Sequence, residues 1–208
     1  MTEFRTPYPT YDVLSKWSTP SWDEQTRRVI HERLTNVPQR RFFSELEWET
    51  LEAVAGRLLP QPERTERIPI VPWIDEKLHH GWGDGFRYVD MPPLGTAWRL
   101  GVNGINDESV RRFGVAFRNL AAGAQDAVLE AVQHGRVEAD VWRELPPRRF
   151  FATLLLKEVV GAYYAHPAAW SEVGFGGPAS PRGYVRLGMN QRDPWEPPPE
   201  HAPSSHER

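Results

Sequence analysis

The chain has 208 residues, 39% hydrophobic and 25% charged, with 25 basic against 28 acidic side chains and no cysteine. The near balance of charge argues against a general polyanion binder, and the missing cysteines exclude disulfides, iron–sulfur ligation, thiolate zinc sites and covalent haem attachment. A chain of this length buries roughly 70% of the surface its unfolded form exposes, so one domain with appended segments needs no covalent staples.

No apolar run approaches the roughly 18 residues of a membrane span. Two arginine pairs near the start, Arg27-Arg28 and Arg40-Arg41, invite a twin-arginine export reading. Glu32, Glu45 and Glu47 interrupt the apolar stretch that such a signal requires. The expectation is therefore a chain without an export signal and a cytoplasmic location, with co-export on a partner as the other route.

Residues 1–20 set Pro7, Pro9 and Pro20 among Tyr8, Tyr11 and Trp17, the text of an extended arm whose aromatics need a surface to lie on. Ser21 with Glu24 reads as a capping box that opens a short helix through Leu34, stopped by Pro38. A second box, Ser44 with Glu47, opens the best-defined helix, flanked by Phe43 and Trp48 at the spacing of a hydrophobic staple. Leu51, Val54, Ala55, Leu58 and Leu59 recur at helical spacing until Pro60. Pro72 suits the first turn of another helix, Val71 to Leu78.

From His79 to Gly104 neither period survives, which predicts a long loop. Its Trp82, Phe86, Tyr88 and Trp98 mark it as ordered. Helices are expected over Asp107–Leu120 and Ala124–His134, the second closed by Gly135. The last, Arg148 to Ala165, is apolar on nearly every side, from Phe150 to Tyr164, and so predicts a central helix packed on several neighbours. No strand alternation persists. The expected class is all-α: a single domain of about five to six helices over 21–188, with long aromatic, Gly/Pro-rich loops, an N-terminal arm (1–20) and a Pro-rich C-terminal tail (189–208).

Candidate chemistry is sparse. Gly174-Phe175-Gly176-Gly177 lacks the preceding strand and following helix of a dinucleotide fingerprint, and Pro178 and Pro181 follow it. Glycines between aromatics instead let the backbone approach another surface closely. His79 and His80 point about 100° apart on a helix, so they cannot face one metal. Asp75 and His79 share a face, the pattern of a helix-ending histidine hydrogen-bonded to a carboxylate. Asp75-Glu76 and Glu45, Glu47 and Glu49 read as solvated surface carboxylates. Arg148-Arg149, Arg182 and Arg186 suit either interface anchors or ordinary surface charge. Nothing assembles nucleophile, base and orienter, so no catalytic, cofactor-binding or metal residue is assigned. The aromatic, proline-bracketed segments bury poorly against a core of this size, and a partner surface explains them. The competing reading is a free-standing carbohydrate-binding protein or enzyme that uses loop 79–104, with Trp82, Trp98, Asp84 and Asp90 to stack on and hydrogen-bond a sugar.

Four stretches, in order, resemble the gluconate 2-dehydrogenase subunit 3 family, the small helical subunits of glucose–methanol–choline flavin dehydrogenases. They are Arg41 to Pro60, Ile68 to Leu78, Ala124 to Leu129, and Phe150 through Tyr163-Tyr164-Ala165-His166-Pro167 to Gly174-Phe175-Gly176-Gly177-Pro178 and Arg182-Gly183-Tyr184. The last is the most specific. The resemblance implies a non-catalytic partner that binds no cofactor itself. A large flavoprotein subunit holds FAD and oxidises a sugar or sugar acid, and the small subunit is its folding, stabilising or export companion. In the wider complex a cytochrome subunit takes the electrons. The expected partner interface is Trp170, Phe175, Gly176, Gly177, Pro178, Pro181, Arg182, Gly183, Tyr184 and Trp195. The twin-arginine signal of many members and the cysteines of some are absent from this sequence.

Overall fold

The structure is a computed structural model that describes residues 6–61, 64, 66–178, 183, 188–189 and 191–200. Its helices are α1 (Glu24–Thr35), α2 (Glu45–Leu58), α3 (Ile70–His79), α4 (Leu94–Phe113), α5 (Ala122–His134), α6 (Pro147–Arg149), α7 (Leu156–Tyr164) and α8 (Pro167–Glu172), with a π-helical segment, Phe150–Leu155, joining α6 to α7. Short 3₁₀ turns lie at Val13–Lys16, Phe117–Asn119 and Asp140–Arg143. No strand occurs among the described residues, as the all-α reading requires, and none of their helices is long and apolar enough to cross a membrane. The chain divides into two compact units, Val37–Tyr163 and, together, Met1–Asn36 with Tyr164–Arg208.

Within 37–163, the start of α2 follows from its capping box. Ser44 Oγ accepts from the Glu47 N–H, and the Glu47 carboxylate accepts from the Ser44 N–H. The residues just before that cap are fixed from a distance. Asp75 on α3, fully buried, accepts from the backbone N–H groups of Arg41 at 2.7 Å, Phe42 at 3.1 Å and Phe43 at 2.9 Å. Three successive amides, the Phe43 one buried and the other two partly so, are thereby given an acceptor.

The long loop expected up to Gly104 is only half as long, because α4 begins at Leu94. The glycines that break the hydrophobic period there are packing residues. A Cβ on Gly101 would lie 2.1 Å from the Phe150 ring, and one on Gly104 would lie 2.6 Å from the Trp142 ring. Rings thus fill the places where side chains would have shown the helical pattern. Trp98, expected in the loop, sits on α4 in the core at 1% exposure, edge-on to both Phe43 and Phe150. The helix expected over 107–120 is the end of α4, stopped by Gly114, followed by the Phe117–Asn119 turn. The end of α5 at Gly135 matches expectation: the Arg136 N–H reaches back to the Ala131 carbonyl, and Gly135 takes a positive φ of 68°.

A second buried carboxylate organises the far end of this unit. Glu108 on α4 is fully buried and accepts from the N–H groups of Glu138 and Ala139 and from Arg112. The expected central helix is one-sided instead. In the π segment, hydrogen bonds skip one more residue than in an α-helix, which brings residue 155 almost over residue 150. Phe150, Phe151 and Leu155 therefore share the buried face, while Leu156 and Tyr164 are 36% and 42% exposed.

The other unit builds its own small core from Val13, Trp22, Ile30 and Trp170, with Tyr11, Leu14, Trp17, Leu34 and Phe175 packed at its edge. The expected extended arm is thus folded, with a 3₁₀ turn capped by Asp12. The N-cap of α1 is Asp23, which accepts from the Thr26 N–H, and not Ser21. Asp23 stands two residues beyond Ser21 and directly adjoins the helix.

Candidate functional site

Of the expected interface residues, Trp170 and Phe175 belong to the small core, and Gly176, Gly177 and Pro178 continue the ribbon that follows α8. Trp170 is 8% exposed, and its indole N–H donates to the Tyr164 carbonyl at 2.6 Å. Phe175 stands edge-on to it, with ring centroids 5.6 Å apart. The ribbon backbone is then pinned by the arm. Tyr11 Oη donates to the Phe175 carbonyl at 3.0 Å, and Lys16 Nζ donates to the Gly176 carbonyl at 3.2 Å, to Tyr11 Oη at 2.9 Å and to the Trp195 carbonyl.

The glycines do permit close approach, and here the approaching surface is the chain's own. A Cβ on Gly174 would lie 2.5 Å from the Tyr8 ring, one on Gly176 2.8 Å from Trp195, and one on Gly177 2.9 Å from Trp22. Trp195 and Pro178 are half-buried and Gly183 is exposed. Pro181, Arg182, Tyr184 and Arg186 lie outside the described residues. The aromatic side chains read as uncovered are, at Trp170 above all, covered by the unit's own arm. The pairing joins residues some 160 positions apart, and no local pattern announces it.

A different region of the molecule carries uncovered aromatics. Between α3 and α4, residues 81–93 run over a cleft of about 740 Å³ lined by Lys77, Asp84, Phe86, Tyr88, Met91 and Leu94 on one side, and by Ala152, Thr153, Leu154, Lys157 and Glu158 of the π segment and α7 on the other. Lys77 Nζ donates to Glu158 at 2.7 Å and stands 3.7 Å from Asp84, which also pairs with Lys157. The Lys157 hydrogen bond holds the Asp84 carboxyl below its usual range, and Asp84 in turn raises the Lys157 ammonium. Further along, Arg149 pairs with Asp90 at 3.0 Å and lies over the Tyr88 ring, 4.3 Å from its centroid. Between and beside these tethers, Trp82, Phe86, Tyr88 and Val89 are 58%, 68%, 43% and 101% exposed.

Asp75, Glu47 and His80 are used for structure. Asp75 and Glu47, expected as solvated carboxylates, are 0% and 5% exposed. Glu47 accepts from Arg99 at 2.7 Å and Asn103 at 3.2 Å besides its own cap. Because Asp75 faces the amides of 41–43, the expected His79–Asp75 pair does not form. His80 pairs with Glu76 at 3.1 Å instead, and its ring stacks on Trp82 at 4.5 Å. Among the described residues no group of three or more His, Asp or Glu side chains is placed to hold a metal ion. Of the residues that suggested sugar binding, Trp98 is inside the core, while Asp84 and Asp90 are ion-paired.

The family model described as gluconate 2-dehydrogenase subunit 3 matches residues 45–177. No curated protein and no solved structure matches the chain.

Proposed function

This chain belongs to the gluconate 2-dehydrogenase subunit 3 family, and from that premise we propose that it is the non-catalytic small subunit that binds and stabilises an FAD-dependent dehydrogenase of the glucose–methanol–choline class. The family match over residues 45–177 carries the reading. On this reading FAD and the sugar or sugar acid belong to the large subunit, and this chain supplies surface.

Two structural features support it. Three of the buried carboxylates, Asp75, Glu47 and Glu108, are each held by backbone amides or guanidinium groups and so serve the fold. The ribbon of Phe175, Gly176, Gly177 and Pro178, with Trp195 beside it, is held from beneath by Tyr11 and Lys16. A backbone already fixed in the folded chain loses little further entropy when a partner docks. Phe175, Pro178, Gly183 and Trp195 provide its partly or fully exposed side, and Trp170 supports it from within.

Co-expression with a glucose–methanol–choline flavoprotein encoded in the same genome tests the proposal. The two chains are expected to elute together, and the flavoprotein alone to lose solubility or FAD content. A flavoprotein equally soluble and active alone, eluting apart from this chain, contradicts the proposal, as does sugar oxidation by the isolated chain.

A further inference from the structure

We propose that the loop 81–93 and the cleft beneath it form a docking surface for the same large subunit, one that receives an uncharged, apolar segment of that chain. The inference rests on the subunit reading above and adds to it where on unit 37–163 the partner sits. Trp82, Phe86, Tyr88 and Val89 bring four substantially exposed apolar side chains into eight consecutive residues. With 150–250 Å² per aromatic side chain, they leave roughly 400–500 Å² of apolar surface open, the size of the largest patches on ordinary monomers. That is about half of one side of a standard interface.

The exposure is built in. Asp84 ties the loop to Lys157 and Lys77, and Asp90 ties it to Arg149, whose guanidinium covers one face of Tyr88. The tethers fix the loop over the cleft, with Phe86 on the cleft lining yet 68% exposed and Val89 fully exposed. That cleft, at about 740 Å³, falls within the volume range of ligand-sized sites. One wall of it is the π-helical segment, a distortion found disproportionately at functional positions.

Charge selects the occupant. Lys77 pairs with Glu158, Lys157 with Asp84 and Arg149 with Asp90, while Arg87 donates to the Met91 carbonyl. A basic segment entering here would be desolvated and would find Glu158, Asp84 and Asp90 already paired, and an acidic one would meet, among the described residues here, a single cation without a carboxylate partner, Arg87. An apolar segment meets apolar side chains and leaves the ion pairs undisturbed.

The test uses the full chain co-expressed with the flavoprotein, and the double variant Phe86→Ser/Val89→Asp beside a control, Val110→Ser, at an exposed site on α4. Both loop positions are more than half exposed, so the melting profile of the variant is expected to match the wild type. Its affinity for the flavoprotein is expected to fall by roughly thirtyfold or more, as for removal of an interface hot spot, with the control unchanged. A double variant that binds as the wild type does overturns the docking site and leaves the subunit reading intact. A wild-type chain that does not bind the flavoprotein removes both. A wild-type homodimer that the double variant dissolves overturns the proposal in favour of a second copy as occupant.

Discussion

Residues 81–89 and 174–177 read alike, as glycines set among aromatic side chains, yet the fold treats them in opposite ways. In the ribbon, Gly174, Gly176 and Gly177 lie under the rings of Tyr8, Trp195 and Trp22, and a Cβ at any of them would collide with an aromatic atom. In the loop, Gly81 and Gly85 have nothing within 4 Å of where a Cβ would stand, and their positive φ values of 66° and 78° serve turns. The first set makes room for the chain's own aromatics, and the second turns the chain so that Trp82, Phe86 and Val89 face outward. Glycine beside aromatic residues therefore marks a covered surface in one place and an uncovered one in the other. The difference lies in whether a distant segment returns to it.

The widest separation between the two regions is expected in stability. Trp170→Ala removes a ring 8% exposed and should cost about 3–5 kcal/mol, whereas Phe86→Ala, at 68% exposure, should stay within about 0.5 kcal/mol. Equal losses in chemical denaturation would erase the distinction. The acidic groups divide in the same way. Asp75→Ala leaves three backbone amides without their acceptor and should cost about 3 kcal/mol, while Asp84→Asn breaks a half-exposed tether and should cost less than about 1 kcal/mol. Thermal unfolding of the pair decides it.

Gly177→Ala meets both a positive φ of 86° and the Trp22 ring, and is expected to cost about 2 kcal/mol or more. Gly85→Ala meets only the backbone strain, at about 1 kcal/mol. A reversed order would mean that the ring contact is not tight. The smallest effect is a pH response of the loop. Because Lys157 holds the Asp84 carboxyl low, the tether is complete above the ordinary carboxylate range, about pH 4, and is lost as pH falls through the lowered folded value. Lys157, raised by the same bond, keeps its charge throughout that range. Limited proteolysis within 81–93 should therefore be flat from about pH 5 to 9 and accelerate in stronger acid. Cleavage that rises on going from acid to neutral would contradict the assignment.

Features written in adjacent residues were legible. The Ser44–Glu47 box, the Gly135 stop and the all-helical class follow from patterns spanning a turn or two. Three things were not. The glycines of α4 hid a helix, because the apolar mass that completes its surface is supplied by Phe150 and Trp142 from elsewhere in the chain. Asp75 reads as a solvated carboxylate and Glu108 carries no signal of its own, because the amides they satisfy lie about 30 positions away. The covering of Trp170 by Val13 and Trp22 joins the two ends of the chain, and only folding brings them together. Of the candidate site, the aromatic character of loop 81–93 was visible at once. Its tethers to Arg149 and Lys157 were not.

Hydrogen–deuterium exchange of the full chain, alone and bound to the flavoprotein, examines the contrast between ribbon and loop in one experiment. Amides of residues 170–175 should be protected already in the free chain, and those of 81–93 should exchange quickly alone and slow markedly on binding. A loop whose exchange is unchanged in a demonstrated complex would contradict the account.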